Sequence, residues 1–513
     1  IQKINKLLAK YYDQNVESIR TKIRAQFLDK IRITESVAAQ LTPEEKILKK
    51  EYNAGRRILE NEFGKSMRYK SIRDLATGEA NNMMTSIKPV WLMSPLSVSD
   101  TMPLDHNMFD VVIYDEASQI TVEEGVPALF RTKQTIIVGD EMQMPPTNFF
   151  SSNNIVDEEE EETENTIGIS LDADSLLNQG ARKLSSVMLG WHYRSRRESL
   201  ISFSNAAFYN RNLLTIPDCK IHQEKNTEFD AVQDIFEAID IETILNKSIS
   251  FQYIENAVYE NRKNKDEANY IANLVAKILK DKIGKSIGIV AFSMSQQGEI
   301  EAALERLAYK DAAFERLLEE EYQREDEDSF NGLFVKNLEN VQGDERDIII
   351  MSVCYGHNTG GRLLMNFGPI NRKGGEKRLN VIFSRAKQNM IVVSSMMPHE
   401  IKNDYNVGAN YFKKFLSYAK NISEGRIEDA NLILDGLNKY DDAINDTTSV
   451  LGKQLAEEIE KMGYSVDLNV GQSHFKCNLA IKKAKESKYK LGILLDLPIH
   501  YANENVLEQY CQK

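Results

Sequence analysis

Two short apolar runs, Val111-Val112-Ile113-Tyr114 and Thr135-Ile136-Ile137-Val138, each end in an acidic turn: Asp115-Glu116 after the first, Gly139-Asp140 after the second. Continuous runs rich in β-branched residues predict parallel strands buried on both faces, and a spacing of roughly 20 residues suits a crossover helix. The stretch is therefore expected to form a βαβ unit. Runs of the same kind at 286–292, 348–351 and 390–393 predict a second parallel sheet. Residues 1–86 follow a different period. Ile4, Leu7, Leu8 and Tyr11, and again Ile47, Leu48, Tyr52, Ile58 and Leu59, recur at helical spacing among dense charges. That predicts long helices, as a stalk or insertion rather than a catalytic core. Val90-Trp91-Leu92-Met93, lying between Pro89 and Pro95, reads as a strand bounded by prolines.

A chain of 513 residues is too long for one core. The expected division is 1–86 (helical), 87–179 (the C-terminal part of a first α/β domain), 180–420 (a second α/β domain), 421–447 (a polar connecting helix and linker) and 448–513 (an incomplete domain of a helix, a glycine turn and three strands).

Charge alters this picture only once it is located. The net charge of −13 argues against a nucleic-acid partner, but the runs 157–164 and 319–328 carry seven carboxylates each, the second against one arginine, and without them the chain is neutral. Both runs read as solvated loops or helix faces, and the remaining surface can still hold a basic groove that tracks a strand. No apolar stretch reaches the roughly 18 residues that span a bilayer. Cys219, Cys354, Cys477 and Cys511 have neither disulfide nor metal-ligand spacing. A soluble protein of the reducing cytoplasm, with no membrane partner, is the expectation.

In open α/β sheets ligands bind outside the carboxyl ends of the strands, where both acidic turns lie. One acid there can hold Mg²⁺ and the next can orient a water on a terminal phosphate, as in nucleotide triphosphatases. Asp115 is assigned to the metal, Glu116 to the attacking water, and Gln143 to sensing the γ-phosphate. With these residues in place, DEAS (115–118) and GDEMQMPP (139–146) resemble motifs II and III of superfamily 1 helicases, in the branch that includes the nonsense-mediated-decay helicase. Three later clusters extend the resemblance over roughly 88–513. His192-Tyr193-Arg194-Ser195 is similar to the arginine motif of a second RecA-like domain, VQGDERDIIIMSVCYG (341–356) to motif V, and GGEKRLNVIFSRAKQNMIVVSS (374–395) to motif VI.

The resemblance implies two RecA-like parallel-sheet domains, ATP and Mg²⁺ as cofactors, single-stranded DNA or RNA as partner, and 5′ to 3′ movement. It gives Arg194, and Arg385 on a helix, to the γ-phosphate. Tyr193 is given to stacking near the base, Gly343 to a tight turn and Glu345 to a ribose hydroxyl. It also sets Met93 to Asp100 on the nucleic-acid side of the first domain. Large prokaryotic members of the branch often serve in defence against foreign nucleic acid, so defence partner proteins join the expectations.

A phosphate loop, GxxxxGK[ST], is absent from the sequence. Gly64-Lys65-Ser66 and Gly284-Lys285-Ser286 have Leu59 and Leu279 where the first glycine belongs, so neither backbone can bend to aim its N–H groups at phosphate oxygens. Two expectations compete. Either earlier residues of a longer polypeptide supply the loop and 1–513 alone is inactive, or the chain is a non-hydrolysing nucleic-acid clamp or scaffold.

The last segment resembles the very-short-patch-repair-like endonuclease tail of large prokaryotic helicases, a partial restriction-endonuclease-like α/β fold. Where those tails carry glutamate, aspartate and glutamate, this chain shows Gly452, Asn478 and Leu494. Asp496 survives, and Asp467 and Glu486 are the nearest substitutes. One carboxylate offers a hard cation too few charged oxygens, so a degenerate nuclease domain that does not cut is expected.

Overall fold

The computed structural model describes residues 2–106, 108–146, 175–219, 231–233, 239–326, 329–437, 450–484 and 486–495. The acidic run 157–164, the end of the run 319–328, the linker beyond 437, Asp496 and Cys511 lie outside the described residues. The chain divides into two compact units, Ile1–Asp140 with Pro145–Leu184, and Glu141–Met144 with Ser185–Lys513. Among the described residues no helix is long and apolar enough to cross a membrane.

The first unit opens with α1 (Gln2–Glu35) and α2 (Pro43–Phe63). A capping box starts α2: Thr42 accepts from the Glu45 N–H, Glu45 accepts from the Thr42 N–H, and Pro43 sits at the first helical position. Ser71 caps α3 (Ile72–Thr77), and α4 (Asn81–Ile87) follows. Tyr52, Leu59, Ala80 and Met83 form a small core to which α1 contributes Ile31. Helix formation agrees with the periodicity, but burial agrees only in part, because Leu7, Leu8 and Tyr11 face solvent at 57%, 46% and 61% exposure.

Residues 90–93 do not form the expected strand. Val90 and Leu92 face solvent while Trp91 and Met93 pack beside Met84 and Met102, so the alternation marks an extended segment. Among the described residues no neighbouring strand offers it a ladder. Ser94 then caps α5 (Pro95–Thr101).

The βαβ unit is present: β1 (Phe109–Tyr114), α6 (Val122–Phe130) and β2 (Thr132–Ile137), with Val112 beside Thr135 in parallel register. Tyr114, Val112 and Ile137 pack with Ala128 of α6 and with Leu176, which opens α7 (Leu176–Lys183). The expectation of strands buried on both faces fails here. Val111, Ile113 and Ile136 are 41%, 64% and 43% exposed, because helices cover one face of this two-stranded sheet.

In the second unit α8 (Ser199–Phe208) and α9 (Ile241–Asn246) lead to β3 (Ile249–Tyr253) and a short hairpin, β4 (Tyr259–Glu260) with β5 (Lys263–Asn264). Next come α10 (Lys265–Lys280), β6 (Ile287–Ala291), α11 (Met294–Lys310), α12 (Ala312–Tyr322) and a second hairpin, β7 (Glu325–Asp326) with β8 (Ser329–Phe330). After β9 (Phe334–Asn337) and β10 (Arg346–Ser352), α13 (Gly375–Phe383) leads to β11 (Ala386–Ser394), α14 (Val407–Ser423) and α15 (Ile427–Asp435).

Five strands form one parallel sheet in the order β3-β11-β10-β6-β9. Period-2 alternation sends Ile349, Met351, Met390 and Val392 to a core with α8, α13 and α14, and Ile348, Ile350, Ile391 and Val393 to a core with α10, α11 and α12. This doubly covered parallel sheet suits a RecA-like domain. Ala430 and Leu434 of α15 enter the first of these cores. A C-terminal module follows, with α16 (Val450–Lys461) beside an antiparallel meander of β12 (Tyr464–Val470), β13 (Cys477–Lys483) and β14 (Leu491–Ile493).

Candidate functional site

At the carboxyl end of β1 the chain turns sharply. Asp115 Oδ1 accepts the Glu116 N–H at 2.9 Å, and Glu116 takes a left-handed backbone, φ +52°. Such a conformation is uncommon outside glycine and clusters at functional turns. The Val138 N–H donates to the Tyr114 carbonyl at 2.8 Å and the Ala117 N–H to the Val138 carbonyl at 2.9 Å, lacing the first acidic turn to the second. Gly139 lies in that seam, where a Cβ would stand 3.1 Å from the backbone nitrogens of both Ala117 and Ser118. Tyr114 donates to the Gly125 carbonyl at 2.6 Å, tying α6 to β1, and burial pushes its phenol up to about 12.

Asp115 is exposed. Mg²⁺ is commonly held by one or two carboxylates together with substrate phosphates and water. The exposed carboxylate at a strand end fits that role, and among the described residues no cage of three or more His, Cys, Asp or Glu competes with it.

In the second unit the turn 192–196 is sewn to the start of β11. His192 Nε2 accepts the Ser195 N–H at 3.1 Å, Ser195 Oγ donates to the Ala386 carbonyl at 3.3 Å, and the Arg196 N–H donates to the Lys387 carbonyl at 2.7 Å. Burial, then the charge of Arg194, depress His192 to about 4, which leaves a neutral ring able to accept. The turn presents Arg194, whose Nε donates to Glu345 Oε2 at 2.5 Å and whose other nitrogen reaches the Ser384 carbonyl at 3.3 Å. Lys387 Nζ meets the second oxygen of Glu345 at 2.9 Å. Burial alone would raise the Glu345 carboxyl, but Lys387 and Arg194 outweigh it and hold it below its ordinary range.

Arg385 does not lie on a helix, contrary to expectation. It follows the end of α13 at Phe383, and its Nε turns back to the Val381 carbonyl at 2.8 Å, closing the last turn of that helix. The side chain is 2% exposed, and its remaining nitrogens reach the Asp344 carbonyl and Gln143 Oε1, both at 3.4 Å.

Gln143, Arg194, Gly343, Glu345 and Arg385 thus gather at the amino ends of β10 and β11. Gly343 holds φ +89° at the turn before Asp344, a conformation that calls for glycine. Tyr193 projects into solvent at 88% exposure. A pocket of about 840 Å³ adjoins the cluster, lined by Gly343, Asp344, Glu345, Arg346 and Lys387 and also by Glu325 and Asp326. Asp115 and Glu116 belong to the other unit.

Lys387 and His192 are parts of this cluster that sequence reasoning passed over. The signal for Lys387 is the parallel register of Arg346 with Ala386, which brings the starts of β10 and β11 together so that the long Lys387 side chain can reach back to Glu345, and which is known only once the strands are paired.

Both GKS sequences have structural roles. Gly64 ends α2 and Lys65 pairs with Glu62 at 2.5 Å, while Gly284 turns at φ +73° into β6, with Ser286 bonded to Asp347 at 3.1 Å. In the C-terminal module Asp467 accepts from Lys482 and from Tyr489, both at 2.7 Å, Glu486 pairs with Lys490 at 3.0 Å, and Asn478 accepts the Leu495 N–H at 2.8 Å.

Two family models, each described as an AAA domain, match residues 2–151 and 173–397. The earlier match runs through α1–α4 as well as the βαβ unit. "Uncharacterized ATP-dependent helicase MG140" of Mycoplasma genitalium is 31% identical over 355 residues, covering 67% of this chain and 28% of that protein. Over about two thirds of its length the chain is therefore similar to a protein named as an ATP-dependent helicase. More distant helicases of this kind include "Uncharacterized ATP-dependent helicase MJ0104" of Methanocaldococcus jannaschii, 25% identical over 62% of this chain and 39% of its own length. "DNA replication ATP-dependent helicase/nuclease dna2" of Schizosaccharomyces pombe is also 25% identical, over 56% and 18%. The chain therefore spans well under half the length of these relatives.

Proposed function

We propose that this chain is the motor portion of an ATP-dependent superfamily 1 helicase or translocase that moves along single-stranded DNA or RNA in the cytoplasm. The observation that carries the reading is the cluster of Arg194, Glu345, Arg385 and Gln143, drawn from four separate stretches of sequence. Asp115 is the residue that would hold Mg²⁺, which supplies charge neutralisation on the phosphates when bound. Glu116 takes the proton of the attacking water. Arg194 and Arg385 offset charge developing on the γ-phosphoryl, and Gln143, bonded to Arg385, reports its state. Glu345 is given to the ribose, Gly343 to the turn beside it, and exposed Tyr193 to stacking on the base.

The nonsense-mediated-decay-like branch and 5′ to 3′ movement belong to the same proposal, as do defence partners. The name of the dna2 relative supports DNA as one substrate. We read the C-terminal module as an endonuclease-like fold that no longer cuts, because Asp467 and Glu486 are engaged by lysines. A non-hydrolysing clamp is the second reading, and a GxxxxGK[ST] elsewhere in the complete natural protein would count against it.

The test measures ATP turnover by the complete natural protein on single-stranded DNA and RNA. Arg194→Ala and Arg385→Ala should each lower kcat far more than they raise KM, because such charges act mainly in the transition state. Residues 1–513 alone should not turn over ATP. No turnover by the complete protein would favour the clamp, and losses confined to KM would make the arginines binding groups.

A further inference from the structure

The loop between β12 and β13 is gripped by the segment that carries Arg194. Glu198, four residues after Arg194, is 7% exposed, and its carboxylate accepts from Thr215 Oγ1 at 2.5 Å and from the Gln472 N–H at 2.8 Å, with the Ser473 N–H as a further donor. Two consecutive backbone N–H groups closing on one carboxylate make a small anion nest. Ser473 Oγ accepts the Thr215 N–H at 3.1 Å, and Phe475 meets Trp191 edge-on with ring centroids 5.2 Å apart. The Tyr489 N–H donates to the Cys219 carbonyl at 2.8 Å. Gly471, at φ +137°, comes so close that a Cβ would lie 3.0 Å from Pro217 Cγ and from the Phe475 carbonyl oxygen.

We propose that the loop 471–476 is a built-in seat for the arginine turn, and that Glu198 is a positioning residue through which the C-terminal module sets Arg194 for ATP hydrolysis. The turn 192–198 is held at three places. Arg194 is fixed to Glu345, Ser195 and Arg196 to the start of β11, and Glu198 to the module. The first two belong to the sheet domain itself. The third is supplied by residues more than 270 positions later, so a module that does not cut still has a use in the motor. Release of the loop would free one end of the turn, and small displacements of a catalytic group cost rate rather than affinity. This inference rests on the proposed role of Arg194.

The experiment compares Gly471→Val, Phe475→Ala, Phe475→Tyr and Arg194→Ala, with kcat and KM measured on the complete protein and fluorescence on residues 1–513 carrying Trp91→Phe, in which Trp191 is the remaining tryptophan. Trp191 emission then reports whether the loop is seated, and thermal unfolding reports folding. Gly471→Val and Phe475→Ala should red-shift the Trp191 emission and lower kcat on the order of ten-fold with KM for ATP within about two-fold, while Phe475→Tyr should restore both. A shifted emission with kcat unchanged overturns the proposal, as does emission unmoved by both substitutions. If one variant does not fold, the other decides. If Arg194→Ala itself leaves kcat unchanged, the fault lies in the role given to that arginine.

Discussion

The strand ends of the two units carry their chemistry in different ways. In the βαβ unit the acids stand on a two-stranded sheet with one open face, and Asp115 and Glu116 are shaped by backbone contacts: a left-handed residue, a bond from Glu116 to its neighbour, and the close approach of Gly139. In the five-stranded sheet the arginines are held by side chains and carbonyls from three stretches of chain, above strands buried on both faces. A turn fixed by its own backbone depends little on distant side chains, whereas the two guanidinium groups are fixed by partners drawn from elsewhere in the sequence. Substitutions can test that contrast.

The largest difference should appear in the strands themselves. Ile349 on β10 is 0% exposed and Ile113 on β1 is 64% exposed, although both come from runs of the same composition. Replacement by alanine should cost about 2–5 kcal/mol at the first and within about 0.5 kcal/mol at the second. Chemical denaturation of the chain measures both. Equal losses would mean that β1 is buried in solution, and the contrast between the sheets would collapse.

A somewhat smaller effect is expected at the acidic turn. Glu116→Gln keeps the shape of the side chain and removes its basicity, so in the complete protein it should retain nucleotide binding and lose at least ~10²-fold in turnover. Nucleotide affinity by fluorescence and phosphate release by coupled assay separate the two. Turnover within a few-fold of wild type would take the general base away from Glu116.

What the sequence allowed to be read follows the same division. β-branched runs, two of them ending in Asp-Glu and Gly-Asp, disclosed the strands because strand formation and turn chemistry are local, whereas Arg194, Glu345 and Arg385 were singled out by resemblance to a family's motifs. Burial was not local. Val111 and Ile113 resemble Ile348 and Ile350, yet only the latter have helices on both sides. Residues 90–93 have the alternation of a strand and lack a partner strand among the described residues, which no inspection of the segment itself could reveal. Arg385 stands two residues beyond the helix assigned to it because its own side chain closes that helix. The pair Lys387–Glu345 depends on a strand register set by residues 40 apart in sequence.

pH offers a third test, centred on the half-buried His192 and the buried Glu267 of the second unit, whose shifts have opposite effects on stability. Burial and the Arg194 charge depress His192 from 6.5 to about 4, so below pH 6.5 the unfolded chain takes up a proton that the folded chain refuses, and stability falls with falling pH. Burial raises Glu267 from 4.5 to about 7, despite hydrogen bonds from Ser352, Ser395 and the Cys354 N–H, so its contribution is full below pH 4.5 and is lost as pH rises through 7. Between pH 4.5 and 6.5 the two slopes, each about 1.4 kcal/mol per pH unit, oppose one another. Denaturation of His192→Gln should show stability rising towards acid by about 2 kcal/mol relative to wild type between pH 6.5 and 5, and Glu267→Gln should show the reverse. Parallel pH profiles for all three proteins would remove both groups from the pH response.

The smallest expected effect separates two glycines, one from each unit. Gly343 has φ +89° and nothing within 4 Å of the Cβ position, whereas Gly139 has backbone nitrogens at 3.1 Å. Gly343→Ala meets only the conformational penalty of a left-handed residue, about 1 kcal/mol of stability, and the Asp344–Lys336 pair beyond it can stay in place. Gly139→Ala must instead push the Ala117–Ser118 backbone by a few tenths of an ångström, which moves the Asp115-Glu116 turn. Its stability cost should be similar, but turnover of the complete protein should fall further than it does for Gly343→Ala, because the displaced atoms belong to the acids proposed to hold metal and water. Measuring unfolding and turnover on the same two variants separates the cases. Equal turnover at equal stability would show that the seam between the acidic turns gives way without disturbing them, and that backbone contact alone does not hold the first site in shape.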